Sequence, residues 1–194
     1  MALTMQSTRS LLVFGVLALL MVLTRFPPAA TAVHLYDASW AVYFVAGFYL
    51  AARWRWAFPA LMTLAVAVDY AAIRYMNVSN YCVTVAYWFL IPTHATLWLG
   101  GAWLRQHEHR GLRGAGLLLV SLLLSTSLAF LISNGSFYWI GDHVVNASWS
   151  GWWVNLQSWY PSFLGLTAAY VMFVATVHAI LAGSPGPRVR TEGA

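Results

Sequence analysis

Six apolar blocks separated by short polar breaks organise this 194-residue chain. About 20 apolar residues are needed to cross a bilayer core as a helix. The blocks therefore predict an all-α membrane protein, one bundle of six transmembrane helices at about 10–26, 38–52, 56–75, 81–104, 115–133 and 161–182. Pro27-Pro28 stops the first block, because proline cannot continue a helix. Arg53 and Arg55 close the second, and Asn77-Val78-Ser79-Asn80 makes a turn after the third. Pro92 interrupts the fourth block, and RQHEHRGLRG separates it from the fifth. Residues 134–160 form the longest expected loop, and 183–194 are expected to be a flexible tail. The run Leu11–Leu23 has the length of a signal-peptide core, but no small-x-small cleavage site comes right after it and further spans follow, so it is kept as a helix. No internal repeat of the inverted-transporter type is visible, and the chain forms a single domain, 1–194.

Composition agrees with the pattern. The chain is 61% hydrophobic and 8% charged, where soluble chains carry about a quarter charged residues. Its net charge of +5 comes from ten arginines and no lysine. In a soluble protein such a balance suggests nucleic acid; here the arginines sit in short connections, as a topology signal, and no nucleic-acid partner is expected. Arg9, Arg53, Arg55, Arg105, Arg110, Arg113, Arg188 and Arg190 fall on one side of a six-span arrangement, and only Arg25 and Arg74 on the other. The positive-inside rule then makes both termini cytoplasmic. His34, Asp37, Asp69, the 77–80 turn and Cys82 come to the outer face.

The candidate chemistry lies there. Cys82 is the only cysteine, which excludes an internal disulfide and a cysteine-cluster metal site. One reading is a small buried apolar residue. The other is a soft thiolate ligand for a borderline metal such as cobalt or copper, activated by the start of a helix. If residues 81–104 are α-helical, Val85, Ala86 and Phe89 share its face and leave room for something bulky. Asp69 is either an acid paired with Arg74 or Arg25, or a hydrogen-bond acceptor for a polar substrate edge. The 134–160 stretch holds five of the eleven tryptophans: Trp139, Trp149, Trp152, Trp153 and Trp159. It reads as an interfacial aromatic belt, or as a lid whose rings stack on a planar ligand with Asn146, Asn155 and Gln157 for its amides. His143 and His34 are outer-face metal-ligand candidates. His107-Glu108-His109 lacks zincin spacing and reads as a charged connector, while His94 and His178 are expected to be hydrogen-bonded structural residues. There is no Walker A sequence for ATP hydrolysis.

The runs HLYDASWAVYFVAGFYL (34–50), DYAAIRY (69–75) and YCVTVAYWFLIPTHATLWLGG (81–101) resemble the BtuM family. These small bacterial membrane proteins are related to the substrate-binding S components of energy-coupling-factor vitamin transporters. The resemblance covers about residues 34–101, and Y-C-x-T-x-A-Y around Cys82 is its most specific mark. It implies an S-component-like bundle in the bacterial inner membrane that binds cobalamin (vitamin B12) near the outer face. Cys82 would be the axial ligand to the corrin cobalt, able to displace a cyano upper ligand. Asp69, Tyr87, Trp139, Trp152 and Trp153 are the residues expected to shape the pocket, Tyr87 through the resembling motif alone. An energy-coupling-factor module is the implied partner, although span 1 lacks the small-xxx-small docking pattern, with Gly15 and Ala18 only three apart. From a different class, a membrane enzyme using Cys82 for thiol or redox chemistry on a lipid or quinone fits the same residues.

Overall fold

The computed structural model describes residues 2–26, 36–76, 78–81, 83–109 and 111–183, and all regular structure among them is helical. The α-helices are α1 (Ala2–Arg25), α2 (Ser39–Leu50), α3 (Trp54–Met76), α4 (Leu90–Gln106), α5 (Gly111–Ile140) and α6 (Trp149–Gly183). Two 3-10 segments, Ala51–Arg53 and Val85–Phe89, lead into α3 and α4. Because only the 3-10 elbow Ala51–Arg53 separates α2 from α3, the described residues form five helical stretches where six separate spans are expected. Four of these stretches are long and apolar enough to cross a membrane: Thr8–Arg25, Ser39–Met76, Gly111–Ile140 and Trp149–Leu181.

The expected boundaries shift in three places. The fourth span, expected at 81–104, becomes a 3-10 turn followed by a 17-residue α-helix. Thr84 caps the turn, its hydroxyl accepting from the Ala86 N–H at 3.2 Å. Pro92 does not interrupt α4. It is the third residue of the helix, where a backbone N–H has no intrahelical acceptor to lose. The expected 134–160 loop is mostly helix, since α5 runs to Ile140 and α6 starts at Trp149, leaving 141–148 as the connection. Pro161 lies inside α6, and Pro59 inside α3.

The short α2 sits at the centre. Ten of its twelve residues are buried, and only Phe48 and Tyr49 near its end reach the surface. Around it pack α1, α4 and α6, with α3 folded back after the 51–53 elbow. The reversal is fixed by Tyr43, whose ring meets Phe58 edge-on at 5.7 Å and whose hydroxyl donates to Met62 Sδ at 3.1 Å. The contact between α2 and α4 is backbone against backbone. A Cβ on Gly47 would collide with the Trp98 carbonyl, and one on Gly101 with the Phe44 carbonyl. Such small-residue contacts are how helices approach closely where no hydrophobic force drives them together.

Two polar ends result. At one, the C-terminus of α1, the start of α2 and the end of α3 meet through Arg25, Ser39 and Asp69. At the other, near the elbow, the Tyr49 hydroxyl and His178 Nδ1 are 2.7 Å apart, and His178 Nε2 is 3.4 Å from Glu108. Arg105 pairs with that same glutamate and lies over the Phe48 ring at 5.4 Å. The charged-connector reading of this segment therefore matches its ion pairs, and His178 is hydrogen-bonded as expected.

Candidate functional site

The Arg25 end opens into a cavity of about 740 Å³, within the range of small-molecule pockets. Its polar wall is built around one guanidinium. Arg25 donates from Nε and Nη2 to the two carboxylate oxygens of Asp69, at 2.6 Å each. Its Nη1 donates to Asp37 at 3.1 Å and to the Ser39 hydroxyl at 3.0 Å. The Tyr87 hydroxyl completes the cluster by donating to Asp69 Oδ2 at 2.7 Å. The fork of arginine suits this two-oxygen geometry. Of the two partners expected for Asp69, Arg25 is the one used, and Arg74 is exposed. One guanidinium against two carboxylates leaves the wall with a single net negative charge, so it favours neutral or cationic ligand groups over anions.

Local sequence explains the cluster. Arg25 ends α1, where a cation is favoured by the helix dipole. Thr24 beside it donates to Leu20 O at 2.8 Å and accepts from the Ala38 N–H at 3.1 Å, tying α1 to the start of α2. Asp37 accepts from the Ser39 N–H at 2.9 Å, an Asx turn that feeds into α2.

The rest of the wall is aromatic and amide: Trp40, Phe130, Phe137, Trp159, Asn134 and Asn155 among others. The Asn134 amide donates to Asn155 Oδ1 at 2.6 Å and accepts from Trp152 Nε1 at 3.0 Å, joining α5 to α6. Tyr81 and Val83, the chain neighbours of Cys82, both line the cavity. Cys82 itself lies outside the described residues, as does His34. The next described helical segment, Val85–Phe89, is a 3-10 turn, so Val85, Ala86 and Phe89 do not share the α-helical face expected of them.

Asp69 and Tyr87 stand in this wall, whereas the three expected tryptophans do not. Trp139, Trp149 and Trp152 pack on one another, with ring centroids 4.7–6.2 Å apart, and Trp153 is 61% exposed. Trp139, Trp149 and Trp153 are exposed, which fits the aromatic-belt reading, Trp152 is half-buried behind the wall residue Asn134, and the cavity takes Trp40 and Trp159 instead. Asn155 lines the cavity; Gln157 and Asn146 are exposed. His143 packs against Tyr81. Its Nε2 is 2.7 Å from the Tyr81 carbonyl and its ring stacks on the Tyr81 ring at 4.0 Å, so the 141–148 connection is clasped onto the segment that leads to Cys82. No group of three or more histidine, cysteine or acidic side chains suited to a metal ion occurs among the described residues.

Fold and site together define a helical protein of the multi-pass membrane type, with a polar-rimmed, aromatic-walled cavity at one end. No protein-family model matches the chain, and no curated protein matches it at a significant level.

Proposed function

We propose that this chain binds cobalamin and takes part in its uptake across the bacterial inner membrane. The observation that carries the reading is the cavity itself: its wall holds both chain neighbours of Cys82 together with Asp69 and Tyr87, all four within the motifs that resemble the BtuM family. Its chemistry suits the ligand. Aromatic rings suit the faces and edges of a corrin, Asn134 and Asn155 suit its peripheral amides, and the net negative wall does not oppose a cationic cobalt centre.

In this reading both termini are cytoplasmic and the cavity faces outward, in keeping with the arginine asymmetry. The Cys82 thiolate donates an electron pair to cobalt. When cyanocobalamin is the ligand, cyanide leaves with the electron pair of its bond to cobalt. An energy-coupling-factor module is a partner only if it docks without the usual small-residue pattern on α1.

The test is a visible absorption spectrum of the purified protein incubated with cyanocobalamin, beside Cys82→Ala. A stoichiometric corrin spectrum, shifted in the wild type and unshifted in the variant, is expected. Identical spectra in both would retain cobalamin and remove Cys82 as a ligand. No corrin held by the wild type would overturn the reading and turn attention to thiol chemistry on a lipid or quinone.

A further inference from the structure

His94 differs from the two threonines that flank it on α4. Thr93 and Thr96 return their hydroxyls to the carbonyls of Phe89 and Pro92, at 2.7 and 2.8 Å, the usual way an apolar helix satisfies such groups. His94 is 1% exposed, yet neither ring nitrogen has a hydrogen-bond partner. The Leu90 carbonyl one turn back lies near the ring without hydrogen-bonding geometry. A bond to it would in any case leave the second nitrogen open. Tyr43 covers one ring face, stacked at 4.0 Å and 28°, and its hydroxyl is already given to Met62. The imidazole is thus held in one orientation without being satisfied. His94 also forms part of the cavity wall, below the Arg25–Asp69–Tyr87 cluster that Tyr87, one 3-10 turn before α4, helps to build. A buried polar group of this kind calls for an occupant.

We propose that His94 is a hydrogen-bonding subsite at the foot of the cavity for a neutral carboxamide of the ligand. The imidazole carries one donor and one acceptor on opposite sides of its ring, and a carboxamide can meet either one, by its carbonyl or by its N–H. A carboxylate is disfavoured there, because the only cation in the described wall, Arg25, is already shared by two acids. The proposal rests on the cobalamin reading, whose ligand carries a rim of such amides, and it makes His94 a specificity-determining residue.

The experiment is equilibrium binding in detergent of cyanocobalamin and of its monocarboxylate derivatives, each with one amide replaced by a carboxylate. Wild type, His94→Phe and His94→Gln are compared, with thermal unfolding as the check of folding. His94→Phe is expected to bind cyanocobalamin at least tenfold more weakly, and His94→Gln to recover part of the loss. One particular monocarboxylate is expected to lose tenfold or more on the wild type and to show no such penalty on His94→Phe. If folded His94→Phe or His94→Gln binds the whole series as the wild type does, or each derivative suffers the same penalty on all three proteins, the subsite is wrong while the cobalamin reading stands. If the wild type binds no corrinoid at all, both fall together.

Discussion

Gly47→Ala tests the centre of the fold most directly. The added methyl would meet the Trp98 carbonyl oxygen and carbon, the latter only 2.7 Å away, and both are backbone atoms that no rotamer change can move. Ordinary contact between such atoms is roughly 3.5 Å, so α2 and α4 must separate by about 1 Å. A gap of that size forfeits a quarter to a half of the attraction between facing atoms. Because ten of the twelve residues of α2 are buried, the shift is felt by its other neighbours as well. Overpacking of this kind costs about 3 kcal/mol at the upper end of its usual range. The better helix propensity of alanine returns about 1 kcal/mol. The net expectation is a destabilisation of about 2 kcal/mol, or a fall in unfolding temperature of about 4–8 °C for a chain of this size. Gly101→Ala, aimed at the Phe44 carbonyl, should behave alike. Gly15→Ala is the control: no atom lies within 4 Å of its added Cβ, and it should unfold at or above the wild-type temperature. The assay is thermal unfolding in detergent. Equal unfolding temperatures for Gly47→Ala and the wild type, or equal damage from Gly15→Ala, would refute the backbone contact between α2 and α4.

Other consequences follow from the polar end. Removing either partner of the Arg25–Asp69 pair, by Arg25→Ala or Asp69→Ala, should cost about 3 kcal/mol, because the side chains are only 15% and 22% exposed. The double variant should cost much less than the sum, which an unfolding double-mutant cycle would detect. Trp152→Phe keeps the ring packing but loses the N–H to Asn134, and should cost about 1 kcal/mol in the same assay. His143→Phe keeps the stack on Tyr81 and loses the bond to its carbonyl. Hydrogen exchange should then quicken at the amides of Val83 and its neighbours, with little change at Leu97 in the core.

Much of this architecture was legible in the pattern of apolar blocks. The reversal between Arg53 and Arg55 falls where the arginines mark it, because charged side chains gather where an apolar helix ends. What was not legible was non-local. Proline reads as a breaker from its own chemistry, yet Pro92 stands in a first turn with no bond to lose and Pro161 is carried within a long helix. The Gly-, Ser- and Asn-bearing stretch from 134 to 160 looks like a loop by composition, but its residues fit the ends of two helices. Asp69 announces itself as a polar group among apolar ones, whereas Tyr87 was expected only through the resembling motif. Arg25 was seen only as a topology marker and a possible partner, although it organises the cluster. The tryptophans mark a surface by their number, and only the helical phase of α5 and α6 shows that Trp139 and Trp153 are exposed, that Trp152 sits behind the wall residue Asn134, and that Trp159 lines the cavity. Nothing in the residues around His94 signals that its nitrogens would be left without partners.

The brevity of α2 bears on how the protein is made. Twelve residues reach about 18 Å, well short of the roughly 30 Å of hydrocarbon that a lone helix must bridge. Such a segment enters a bilayer most readily together with the longer α3, as a doubled-back pair. Until synthesis reaches Gly101, the face of α2 that ends against α4 has no partner and is wrapped in lipid or in the insertion machinery. Ser39, fully buried in the finished bundle, waits with it. A later step of assembly is then the closure of α4, and after it α6, over a helix already in the membrane. Substitutions at Gly47 would show themselves first as chains degraded before completion, ahead of any loss in the finished protein.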